Sequence, residues 1–133
     1  MIVVDSNVIA YCWIHGALTD LAQAVRLRDP QWHAPVLWRS EMRSILTGYL
    51  RAGNLDRAQV ARIMGAAQAA LEGGEHLVPD EAVFELAGES PLSAYDCEFV
   101  ALATVLSVPL VTADRDVLRT FPDRAMTMKA FLS

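Results

Sequence analysis

Three scarcities limit what this chain can be. Cysteine occurs only at Cys12 and Cys97, with no CxxC pair and nothing resembling a disulfide framework, which agrees with a reducing compartment. Positive charge is outnumbered, with 11 Lys and Arg against 16 Asp and Glu and a formal net charge of -5. That balance argues against a broad basic face for general nucleic-acid binding. It leaves room for a carboxylate site in which a metal ion restores attraction for phosphate. Long apolar runs are also missing: the most apolar stretch, 99–113, is interrupted by Thr104, Ser107 and Pro109 and is too short to span a bilayer. Met1 leads directly into a strand, without the basic segment and apolar run of a secretory signal. These absences predict a soluble cytoplasmic protein that makes no membrane contact. There is no repeat, linker or low-complexity tract.

What is present suits one domain over residues 1–133, a length that buries about two-thirds of the unfolded surface. Hydrophobic residues make up 53% and charged residues 20%, so apolar side chains must also reach the surface, a mild pointer to oligomerisation. Strands are expected at 2–4, at 33–34, at His76-Leu77-Val78, at 109–112 and at 125–127. Between them lie helical patterns. A short one runs over 8–14; another has Leu18, Leu21, Ala22 and Val25 on one face and stops near Asp29-Pro30. A longer one covers 36–52 and closes on Gly53-Asn54. Asp56 and Gln59 form a capping-box pattern for the next, which ends at Gly73-Gly74. Pro79-Asp80 opens a helix through Leu86, Gly88 to Pro91 reads as a loop, Ser93 caps a helix to about Leu106, and Asp114 starts a short one to Thr120. Short strands alternating with helices predict an α/β fold: a three-layer α/β/α sandwich on a short parallel sheet.

Ligands of such sheets bind outside the carboxyl ends of the strands. Asp5 follows the first strand and Asp114 the fourth, and these strands are neighbours if the strand order reverses between them. Each acid has an ordinary reading. Asp5 and Asp114 suit helix N-caps, Asp96 completes a Ser-x-x-Asp box with Ser93, and Glu41 gains from the dipole of its helix. Glu41, however, lies one turn before Ile45, and Asp96 precedes Phe99, Val100 and Ala103 at i+3, i+4 and i+7. Both therefore share a side with the apolar stripe of their helices. Up to four carboxylates would then converge on one crevice, where like charges raise one another's pKa unless a cation lies between them. Oxygen-rich acidic sites suit Mg²⁺ or Mn²⁺ rather than zinc.

Four segments, in this order, resemble the PIN-domain family and within it the VapC-type ribonuclease toxins of toxin-antitoxin systems. They are Val4-Asp5-Ser6-Asn7, Glu41-Met42-Arg43, the run from Ser93 to Ala103, and Leu110-Val111-Thr112-Ala113-Asp114-Arg115-Asp116. The resemblance covers essentially the whole chain. It implies a Mg²⁺-dependent endoribonuclease, with Mn²⁺ able to substitute, whose catalytic quartet is Asp5, Glu41, Asp96 and Asp114. By that resemblance the four acids would be a metal-binding quartet, with Asn7 and Thr112 as supporting groups; within it we expect Asp5 and Asp96 to hold the principal metal, Asp114 to complete the site directly or through water, and Glu41 to orient or deprotonate the attacking water. Asp116 is a further candidate beside its reading as a solvated acid in the first turn of a helix. The family also implies a homodimer and inhibition by a cognate antitoxin.

For RNA contact, Arg39, Arg43, Arg51 and Arg115 flank the acids or lie along the same helix, although each also reads as a solvated surface group. Trp13, Trp32 and Trp38 could stack on bases or fill the core. His15, His33 and His76 lack metal-ligand spacing, and both cysteines read as small buried residues. The helices between Val36 and Leu71 form an apolar hairpin that could clasp an antitoxin segment, or close the core or a dimer interface. Two other readings compete. A receiver-like phospho-acceptor domain would use Thr112 and Lys129, but it wants two acids at the first strand and has no use for Asp96 within a helix. A non-catalytic PIN-like binding module would have little reason to keep all four acids. A haloacid-dehalogenase-like phosphatase is weaker, because Asn7 stands where its second acid belongs.

Overall fold

The computed structural model describes residues 1–133. Five strands form one all-parallel sheet: β1 (Ile2–Val4), β2 (Trp32–Pro35), β3 (Glu75–His76), β4 (Leu110–Val111) and β5 (Ala125–Met126), in the order β3-β2-β1-β4-β5. The chain steps outward from β1 to β2 and β3, then returns to lay β4 on the other side of β1. The reversal that makes the first and fourth strands neighbours is therefore present, with Val3 opposite Leu110 and Val4 opposite Val111. All three β1 residues are buried, as a central strand covered on both faces requires.

The helices are α1 (Ser6–Trp13), α2 (Thr19–Arg28), α3 (Trp38–Arg51), α4 (Arg57–Ala70), α5 (Asp80–Glu89), α6 (Ala94–Leu106), α7 (Arg115–Thr120) and α8 (Met128–Leu132). α1 packs on α2, α3 and α4, while α6 pairs with α5 and crosses β1, β2 and β4. Together with the sheet these helices make the three-layer α/β/α arrangement. One core joins the layers and includes Val3, Val4, Trp32, Trp38, Met42, Leu46, Val100 and Leu102. No helix is long and apolar enough to cross a membrane.

Local chemistry explains most boundaries. The capping box at α4 is complete: Asp56 accepts from the Gln59 N–H at 2.8 Å, and the Gln59 side chain accepts from the Asp56 N–H at 2.9 Å. Four expectations need correction. The third strand is Glu75–His76 rather than His76 to Val78: His76 O accepts from Val36 N, after which β2 has turned away towards α3 and no strand remains to pair with Leu77, which is 89% exposed. α5 runs through Gly88 to Glu89, so the loop after it begins at Ser90. The first helix starts at Ser6, capped by Asp5, rather than at Val8. The last strand stops at Met126, because the Thr127 side chain caps the unanticipated α8 by accepting from Ala130 N.

Gly74 leads into β3 with its backbone pressed on β2; a Cβ there would lie 2.1 Å from the Trp32 carbonyl oxygen. Gly48, inside α3, faces open space. Opposite signs are therefore expected in urea unfolding. Gly74→Ala should lose about 2 kcal/mol because backbone has to shift, whereas Gly48→Ala should gain about 0.5–1 kcal/mol from helix propensity.

Candidate active site

The loops after β1 and β4 and the first turns of α3 and α6 enclose a cleft of about 280 Å³. Asp5, Glu41, Asp96 and Asp114 all line it, with Asn7 and Thr112. The four acids expected to converge do so.

Asp5 is buried and heavily bonded. Its Oδ1 accepts from the Val8 N–H at 2.9 Å, and its Oδ2 accepts from the Thr112 hydroxyl and from the Ala113 N–H at 3.2 Å. Thr112 Oγ1 in turn accepts from the Asp114 N–H at 3.0 Å. Asp114 caps α7 through Oδ1, which accepts from Asp116 N at 2.8 Å and Val117 N at 3.1 Å. The capping reading and the site reading thus hold together: one oxygen closes the helix and Oδ2 is left for the cleft. At Asp96 only half of the expected box forms. Ser93 Oγ accepts from Asp96 N at 3.1 Å, while the Asp96 carboxylate accepts no hydrogen bond from the protein.

Burial raises the pKa of Asp5, and the charge of Asp114 adds to this, against the lowering effect of its three hydrogen bonds. Burial likewise raises Glu41, with Asp96 and Glu98 adding to it. It raises Asp96, with Asp114 and Asp116 adding. The cleft thus concentrates negative charge without a lysine or arginine among its lining residues.

A hard divalent cation fits this donor set. Asp5 has used three of about four acceptor positions, whereas Asp114 Oδ2 and both Asp96 oxygens are free. No three His, Cys, Asp or Glu side chains come close enough to cage an ion by themselves.

Other expected residues lie elsewhere. Asp116 is exposed, pairs with Arg119 and does not line the cleft. Arg39 is held by Glu75 through Nε and Nη2 at 2.6 and 2.8 Å, Arg43 borders an apolar groove between α3 and α4, and Arg51 and Arg115 are exposed. None of the four lines the cleft. Trp32 and Trp38 are buried and cannot stack on bases, and Trp13 packs edge-on against Trp32 with ring centroids 5.9 Å apart. Both cysteines are buried thiols, and burial pushes Cys12 up to about 11. His33 Nδ1 and His76 Nε2 face each other at 2.7 Å across β2 and β3, a pairing that their spacing in the sequence did not suggest. Also unforeseen is Ser6, whose hydroxyl donates to Glu41 Oε1 at 2.7 Å. Its position beside Asp5 was visible; its partner 35 residues away was not.

The charge crowding predicts a trade-off between site and stability. A carboxyl with a raised folded pKa holds its proton more tightly in the folded state, so stability falls as pH rises from the ordinary value of 3.8 through the raised one. Without divalent ions, Asp96→Asn should therefore melt about 2 °C higher than wild type at pH 7, and the difference should vanish near pH 4. Thermal melts across that range check the sign.

The fold is similar to that of PAE2754 from Pyrobaculum aerophilum, whose crystal structure matches with a TM-score of 0.76 over 98% of this chain and 92% of that one, at 22% sequence identity. At that identity the likeness is one of fold. No family model matches the sequence. No curated protein matches it.

Proposed function

We propose that the chain is a metal-dependent endoribonuclease of the PIN type, hydrolysing RNA phosphodiester bonds at the acidic cleft. The observation that carries this is the convergence of four carboxylates from four separate elements on one cleft without a compensating basic side chain. Burying acids together costs stability, and a site that holds a cation and meets a phosphate gives that cost a use.

Asp5, Asp96 and Asp114 would hold Mg²⁺ or Mn²⁺, directly or through bound water. Bound there, the ion supplies neutralisation of phosphate charge and activation of water. Asp5 is the fixed member, held by Val8, Thr112 and Ala113; Asp96 and Asp114 carry the free oxygens. Glu41 takes the proton of the attacking water. Burial and its acidic neighbours raise its proton affinity towards what a base working near neutrality needs. Ser6 holds Oε1 and leaves Oε2 for that water. Asn7, exposed at the rim, is placed to meet the substrate.

The toxin role, the antitoxin and the homodimer belong to the same proposal. The apolar groove between α3 and α4, bordered by Leu46, Leu50, Val60 and Met64, offers a surface for a second copy or an antitoxin helix. The receiver alternative fits less well: such domains order their strands 2-1-3-4-5, whereas here β4 neighbours β1, and Asp96 stands in a helix.

Purified protein incubated with a pool of structured RNAs should cut in Mg²⁺ and Mn²⁺ and stop in EDTA. Asp5→Asn should abolish cutting while keeping the fold. Metal-independent cutting, or a fully active Asp5→Asn protein, would remove the assignment. Absence of cutting by folded wild type under every condition would favour the non-catalytic module, and stable labelling of an aspartate by a phosphoryl donor the receiver. Ser6→Ala should slow cutting about tenfold, a fraction of the hundredfold or more that general-base catalysis supplies, with Ser6→Thr restoring most of it.

A further inference from the structure

The cleft is not closed at its α1 side. Asn7 and Ile45 border both the cleft and a second hollow of about 330 Å³. That hollow shares Ile14, His15 and Tyr49 with a third, of about 600 Å³, enclosed by α1, α3 and α4. The three adjoin in a line, making a trough that leads away from the acids.

Its chemistry differs from that of the cleft. The chain carries 16 Asp and Glu, yet none lines either of the two outer hollows. Arg62 stands exposed at the far end and takes part in none of the molecule's salt bridges. Tyr49, 40% exposed, stands on the border between the two outer hollows. A metal-loaded cleft attracts one phosphate; the rest of a polyanion needs a route on which carboxylates do not repel it. A trough free of acids, with a cation at its end and an exposed aromatic midway, meets that need. Aromatic faces take bases whose own faces are free, as in a single strand.

We infer that this trough binds single-stranded RNA flanking the bond in the cleft, with Tyr49 as a stacking platform and Arg62 as a phosphate contact. The inference rests on the nuclease reading for what occupies the cleft, but the binding it assigns is measurable without cleavage.

The test is fluorescence anisotropy with fluorescein-labelled 12-mers of uridylate and of adenylate. The full-length chain carries Glu41→Gln, which removes the proposed base and keeps the three metal-holding acids, so that the probes survive with Mg²⁺ present. Tyr49→Ala should weaken binding of both probes fivefold or more, and Tyr49→Phe should stay within twofold of the parent. Arg62→Gln should weaken both probes alike and reduce the slope of log affinity against log salt by about 0.7. A 12-bp RNA duplex should bind at least fivefold more weakly than either single strand. The inference is overturned if the parent binds neither probe, if Tyr49→Ala and Arg62→Gln bind like the parent, if Tyr49→Phe is as weak as Tyr49→Ala, or if the duplex binds equally well. Unchanged RNA binding with an altered oligomeric state in light scattering would also overturn it, making the trough a protein interface. The two readings fail separately. A wild-type protein that never cuts, with binding lost in the variants, sinks the nuclease and leaves the trough standing; cutting with unaffected binding sinks the trough alone.

Discussion

The Asp5 carboxylate is the joint on which this structure turns. One oxygen closes the first turn of α1 through Val8, and the other ties the end of β1 to the end of β4 through Thr112 and Ala113. Three neighbouring elements are fixed at one buried carboxyl group, and Asp114 enters the same network through Thr112. Leaving a buried polar group without its partners costs about 1–3 kcal/mol. The carboxylate therefore positions the cleft and pins the sheet at its point of reversal together.

The rest of the site follows from helix starts. Asp96 enters the cleft because Ser93 caps α6, and Glu41 because α3 begins directly after β2. Each cap or early-turn acid is an ordinary stabilising device by itself. They become a site because β1 and β4 are neighbours, so devices from distant parts of the chain meet at one end of the sheet.

That division explains what could be read in advance. The strand-helix alternation, the capping signals at Asp56, Ser93 and Asp114, and the four acids are local patterns, and the structure has them where the sequence puts them. The misreadings depend on what lies opposite in space. Leu77 looks like a strand residue, but its would-be partner strand has ended. Arg39 looks like a phosphate contact, but Glu75 holds it. Ser6 on Glu41 and His33 on His76 are contacts between distant positions that no spacing rule announces.

The stitch between Asp5 and Thr112 joins residues 107 apart in the chain. During synthesis the first acid emerges long before its partner: at about 5–20 residues per second, roughly 5–20 s pass between them. Contacts of such separation form late, because the loop they close must first lose its freedom. An unfinished chain therefore has α1 and α3 without a cleft. The four acids assemble only when β4 docks, so any chemistry they perform is withheld from the nascent protein until the chain has been made past Asp114.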